Sequence, residues 1–217
     1  RLIPFEFSTT QTYILELGNQ YMRFYRDNGQ ILSGGSPFEI STPYLTAELF
    51  DIKFAQSADV MYITHPNHQT RKLSRTGHTS WTLTVVDFTN GPYLDTNTST
   101  TTITASAHTV GTGRTFTASA STFVSTDVDR LIRFRDGYAK VTGFTSATVV
   151  TVEIIKDTGS TSASTDWSLG AFSDTTGHPS CVSFFEQRLV FAATLSQPQT
   201  VFFSKSGDYE NMDANIG

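Results

Sequence analysis

Short runs of alternating apolar and polar residues, each closed by a turn signal, recur along most of this chain. That period of two restricts the fold to antiparallel β-structure. Tyr13-Ile14-Leu15-Glu16-Leu17 and Tyr21-Met22-Arg23-Phe24-Tyr25 flank Gly18-Asn19, and Asp27-Asn28-Gly29 leads into Gln30-Ile31-Leu32. Asn28-Gly29 can supply the positive φ angles of a type I′ turn, so the first third reads as a β-meander. Val60–Thr64, stopped by Pro66, is followed by Arg71–Arg75 and Trp81–Val86, and the same texture returns in Cys181–Phe185, Gln187–Ala193 and Thr200–Ser204. Ser and Thr, roughly a quarter of the residues, reinforce the reading, because the branched Cβ of Thr favours extended backbone. One short helix is expected, with Thr42 as N-cap and Pro43 at its first position, running through Leu45, Glu48 and Leu49.

The texture changes between Pro92 and Trp167. A Thr/Ser-rich tract from Thr96 to Ala107 precedes Leu131–Phe134, Ala139–Phe144 and Thr148–Ile155, short strands that suit a small barrel or sandwich. Thr96–Thr102 reads equally well as a strand or as a flexible linker. The expected architecture is all-β: a partial β-propeller-like domain built from residues 1–94 and 168–217, with a small β-barrel inserted at 95–167.

Charge and motifs exclude several functions. With 15 Lys and Arg against 20 Asp and Glu, the net charge of −5 offers no overall field for nucleic acid or an anionic membrane. No stretch approaches the ~18 apolar residues of a membrane-spanning helix, so no membrane insertion is expected. The chain opens on Arg1 and reads as a piece of a longer protein. Gly-x-Ser-x-Gly, Gly-x-x-x-x-Gly-Lys and Gly-x-Gly-x-x-Gly are all absent from the sequence, and Gly111-Thr112-Gly113 lacks the third glycine. The chain is therefore read as non-enzymatic, with no catalytic residue and no cofactor.

Several residues still invite chemistry. His65 and His68 form an i, i+3 pair, but no second cluster of His or Cys completes a zinc spacing, so no metal is expected and the pair is placed in a turn shaped by Pro66. Asp208, Glu210, Asn211, Asp213 and Asn215 lack the glycine and closing acid of an EF-hand loop and read as a solvated acidic turn. Asp127 and Asp129 would share one face as a rim of charge. Arg71, Lys72 and Arg75 would form a solvated basic strand face, and Arg188 an ion pair. Trp81 is expected in the core, and Trp167 is the better candidate for an exposed aromatic. Cys181, the single cysteine, is expected to be buried and inert. Asn97-Thr98-Ser99 fits the N-glycosylation triplet, which arises readily by chance in a Thr-rich tract.

Arg1–Phe7, Tyr21–Phe24, Phe54–Tyr62, Leu73-Ser74-Arg75, Gln187–Phe191 and Ser204–Tyr209 together resemble the tail tubular B or nozzle proteins of short-tailed bacteriophages and their prophage relatives. The resemblance covers about two thirds of the chain. The remaining tract resembles the small β-barrel half-domain also inserted in ubiquitin-activating enzymes, without implying ubiquitin chemistry. Membership would imply an N-terminal part of a virion tail subunit, assembled as a hexameric ring below the adaptor ring and other tail proteins. DNA would pass through that ring without specific binding, and the low basic content fits such a passage. The alternative expectation is a host-glycan-binding recognition module of a phage or bacterial surface protein.

Overall fold

Hairpin after hairpin forms where the turn signals fall. The structure, a computed structural model, describes residues 1–8 and 11–213. Strands β1 (Leu2–Ser8), β2 (Gln11–Gly18), β3 (Tyr21–Arg26) and β4 (Gly29–Gln30) run antiparallel in that order. A small arm, β5 (Leu32–Ser33) and β6 (Ser36–Pro37), leads to β7 (Glu39–Ser41), which returns to β3. Both early turns sit one residue from their expected places. Gly18 still pairs with Tyr21, leaving Asn19 and Gln20 to turn, and Asp27 and Asn28 take the two positive φ angles while Gly29 opens β4. Asp and Asn tolerate that left-handed conformation, so the glycine is not needed at the apex.

The expected helix is reduced to one 3-10 turn at Thr46–Glu48, with β7 occupying Ser41. Thr42 does not cap it; Leu45 precedes it in extended conformation, and the Glu48 carboxylate binds the Leu45 N–H at 2.8 Å.

A four-stranded meander follows: β8 (Lys53–Ser57), β9 (Val60–His65), β10 (His68–Gly77) and β11 (Ser80–Val85). β9 is covered on both faces, and its alternation divides its side chains between two cores. Met61 and Ile63 join Leu73 and Trp81 against Ile3, Phe5, Tyr13, Leu15 and Phe24 of the first sheet. Trp81 is the hub, stacked on Phe24 at 4.4 Å between ring centres and edge-on to Phe5 at 4.8 Å and Tyr13 at 5.2 Å. Contacts of this kind add about 0.5–1.5 kcal/mol each beyond burial. On the other face, Tyr62 and Val86 pack with Leu189, Phe191, Phe202 and Met212.

Leu189, Phe191 and Phe202 belong to a three-stranded meander of β18 (Cys181–Phe185), β19 (Arg188–Ala192) and β20 (Val201–Phe203), and Met212 follows it in the chain. Between the two meanders runs a six-stranded antiparallel sheet. It comprises β12 (Ile103–Ala105), β13 (Gly111–Ala118), β14 (Leu131–Phe134), β15 (Gly137–Ser146), β16 (Val149–Lys156) and β17 (Trp167–Leu169), in the order β12-β13-β16-β15-β14-β17. The fold is all-β, with a strongly curled half-barrel sheet. The six strands enclose their own core, centred on Phe116, Phe134, Val152 and Ile154. The chain enters and leaves this sheet side by side: the Leu94 N–H donates to the Leu169 carbonyl and the Ala171 N–H to that of Pro92, both at 2.8 Å. Thr96–Thr102 is neither strand nor free linker. The Asn97 amide donates to the Ser99, Thr101 and Thr165 carbonyls, and the Trp167 indole N–H also reaches Thr101.

Candidate functional site

Glu48, His65 and His68 are brought together by the 3-10 turn and the β9–β10 hairpin. His65 ends β9, His68 opens β10, and the two are paired across the turn at Pro66 and Asn67, so their side chains lie side by side. One ligand atom from each of the three lies within 4.8 Å of the others. His68 Nε2 meets Glu48 Oε2 at 2.9 Å, and the two imidazole rings are 4.9 Å apart. His65 is 1% exposed; its Nδ1 accepts the Asn67 N–H at 3.1 Å, and its Nε2 is buried without a partner. The Tyr44 ring closes the site from the side, edge-on to His68 at 5.3 Å.

Charge states follow from these surroundings. The Leu45 N–H, and then His68, hold the Glu48 carboxyl below the usual carboxylate range, against the effect of burial. Burial, and then the neighbouring His68, push the His65 imidazole down and favour its neutral form. Burial raises the Tyr44 phenol well above its ordinary value, which keeps it protonated.

A second feature is a cleft of about 760 Å³ between the curled sheet and the last meander, whose lining includes Tyr93, Arg133, Arg135, Lys156, Arg188 and Phe203. Arg133 is paired with Asp166 at 2.7 Å, whereas Lys156 has no carboxylate partner among the described residues. These cations come from separate strands and turns.

The other residues singled out in the sequence are mostly engaged within the fold. Trp81 is buried as expected, but Trp167 is buried too, at 9% exposure, because it packs into the core of the curled sheet. Asp127 and Asp129 do not share a face: Asp127 is buried against Arg130, and Asp129 sits at a positive φ, exposed and 3.3 Å from Gln69. The basic strand face is also dispersed. Lys72 binds Glu210, and Arg75 lies over the Phe7 ring while reaching Tyr13 and Asp59; Arg71 Nε is buried without a partner. Arg188 donates to the Ser204 carbonyl at 2.9 Å and has no ion pair among the described residues. Cys181 is exposed, because the face of the last meander that carries it is uncovered. Glu210 and Asn211 are taken up by Lys72, Tyr62 and Asp208, while Asn215 lies outside the described residues. The carboxylate that joins the histidine pair, Glu48, gives no signal in spacing.

Comparison of the chain with protein-family models and with curated proteins finds no match to either.

Proposed function

We propose that this chain is an architectural part of a short-tailed phage tail, a nozzle-type subunit around the DNA exit channel. The observation that carries the architectural reading is the solvent-exposed face of the last meander, part of which borders the cleft. Phe185, Val201 and Phe203 are 57%, 50% and 45% exposed there, and Cys181 lies on the same three-stranded sheet. Contiguous exposed apolar side chains on one sheet face mark a protein interface. A subunit that must be gripped by neighbours needs such a face, and one that only meets solvent does not. The nozzle assignment itself rests on the sequence resemblance. Its segments map to β1, β3, the β8–β9 hairpin, β10, β19 and the turn after β20, all outside the curled sheet. Burial of both tryptophans takes the two indoles out of the aromatic platform that the glycan-binding alternative would use, which weighs toward the architectural reading.

Gold-conjugated antibody against this chain, applied to virions and viewed by electron microscopy, tests the assignment. Label at the distal tail tube is expected. Label on side fibres, or none on either intact or detergent-opened particles, would refute it.

A further inference from the structure

We infer that Glu48, His65 and His68 form a binding site for a divalent transition-metal ion of the zinc class. Two imidazole nitrogens and one carboxylate oxygen are a donor set that zinc, cobalt and nickel accept, whereas magnesium and calcium prefer oxygen throughout. The ligand atoms already lie within 4.8 Å of one another, so an ion bound at ~2.0–2.2 Å from each needs only small side-chain movements. The His68–Glu48 contact at 2.9 Å is one that an ion would replace, the proton on Nε2 moving to Nδ1 of a neutral ring or leaving to solvent from a charged one.

The independent observation is His65. A buried polar atom without a partner keeps the desolvation cost with nothing to offset it, and Nε2 of this ring is such an atom. Its other nitrogen, Nδ1, receives the Asn67 N–H, which places the proton of the neutral ring on Nε2. Metal binding therefore moves that proton to Nδ1 and turns the Asn67 amide outward. Asn67 is exposed at the hairpin apex, so water can take its N–H. Three protein ligands leave a fourth position for solvent. The ion would tie the 3-10 turn to the β9–β10 hairpin, which the His68–Glu48 contact already joins side chain to side chain.

The test is titration of the full 217-residue chain with Co²⁺ and Zn²⁺, followed by visible absorption and calorimetry. One equivalent is expected, with cobalt d–d bands of low-symmetry coordination. Loss of an orienting partner alone weakens metal sites about 10–100-fold, so Glu48→Gln and His68→Ala, each removing a ligand, should weaken binding at least about tenfold. Both side chains are partly exposed, so these variants should fold, as a near-ultraviolet circular dichroism spectrum will report. His108→Ala, at an exposed histidine beside Asp157, is the control and should bind as the parent does. Absence of binding by the folded parent, or binding unchanged in Glu48→Gln and His68→Ala, would overturn the inference. So would an equal loss in His108→Ala.

Discussion

Asp127→Ala should be strongly destabilising, and the reason can be worked out from its partners. The carboxylate is almost fully buried and accepts from Arg130 at 2.7 Å, from the Thr175 hydroxyl at 2.7 Å and from the Val124 N–H at 2.9 Å. Arg130, equally buried, also donates to the Gly170 carbonyl at 2.8 Å. Truncation would leave a buried guanidinium with that one carbonyl as its remaining partner. Breaking such a pair from one side costs about 3–5 kcal/mol. The comparison is Asp166→Ala, which removes an equally short contact to Arg133 from a carboxylate that is 55% exposed. Exposed pairs contribute about 0–1 kcal/mol. With a urea slope of roughly 2–3 kcal/mol/M, Asp127→Ala should lower the unfolding midpoint by about 1–2.5 M and Asp166→Ala by less than about 0.5 M. Trp167 fluorescence, read in a Trp81→Phe background, follows the sheet whose end the pair secures. Replacing both partners, as Asp127→Leu with Arg130→Met, should recover much of the loss because no charge is then stranded. Equal midpoints for Asp127→Ala and Asp166→Ala would refute the reasoning.

Two further outcomes follow from local geometry. At Gly137 an added Cβ would collide with the backbone carbonyls of Lys156 and Asp157, so Gly137→Ala should cost about 1–3 kcal/mol in the same urea assay. A neutral result there would mean that the β15–β16 pairing can spread. His178 is buried, and that burial depresses its imidazole against the opposing pull of Asp174. Its folded pKa therefore lies below the unfolded one, near 6.5. Above that value it has no effect on stability, and as pH falls below about 6.5 the unfolded chain takes up the proton first, so stability declines until the folded pKa is passed. His178→Gln should flatten that acid limb, measured as urea midpoints between about pH 7 and pH 5.

Strand pairing was legible because it depends on neighbours in sequence. The alternation in β2, β3 and β9 and the turn residues between them are local properties, and they located the hairpins to within a residue. The helix expected after Thr42 failed for a tertiary reason: Ser41 pairs with Tyr21, and Tyr44 is drawn into the first core, which leaves room for one 3-10 turn. Trp167 departs from expectation because its flanking Asp166 and Ser168 suggest exposure, whereas strand alternation turns the indole inward while Asp166 meets Arg133. Cys181 departs in the opposite sense. Its strand is covered on one face only, and which face is covered depends on the stacking of separate meanders. Glu48 is the hardest case. Nothing in the interval of twenty residues between it and His68 marks them as partners; only the return of β9 and β10 past the 3-10 turn makes them so.

The same distinction between sequence and surface limits what net charge can say about DNA. An excess of acids fits a channel that lets DNA slide only if the acids face the lumen, since fields from exposed charges fade over a Debye length of about 8 Å at physiological salt. In this fold the charges are not evenly spread. Arg133, Arg135, Lys156 and Arg188 converge on one cleft whose lining acids are Asp136 and Asp213. The cations are contributed by β14, the turn after it, β16 and β19, so no basic run betrays them in the sequence. A chain with a net charge of −5 thus carries a local surface with more cations than carboxylates. In a ring of subunits, the orientation of that cleft, and not the overall balance, would set whether passing phosphates are held or released.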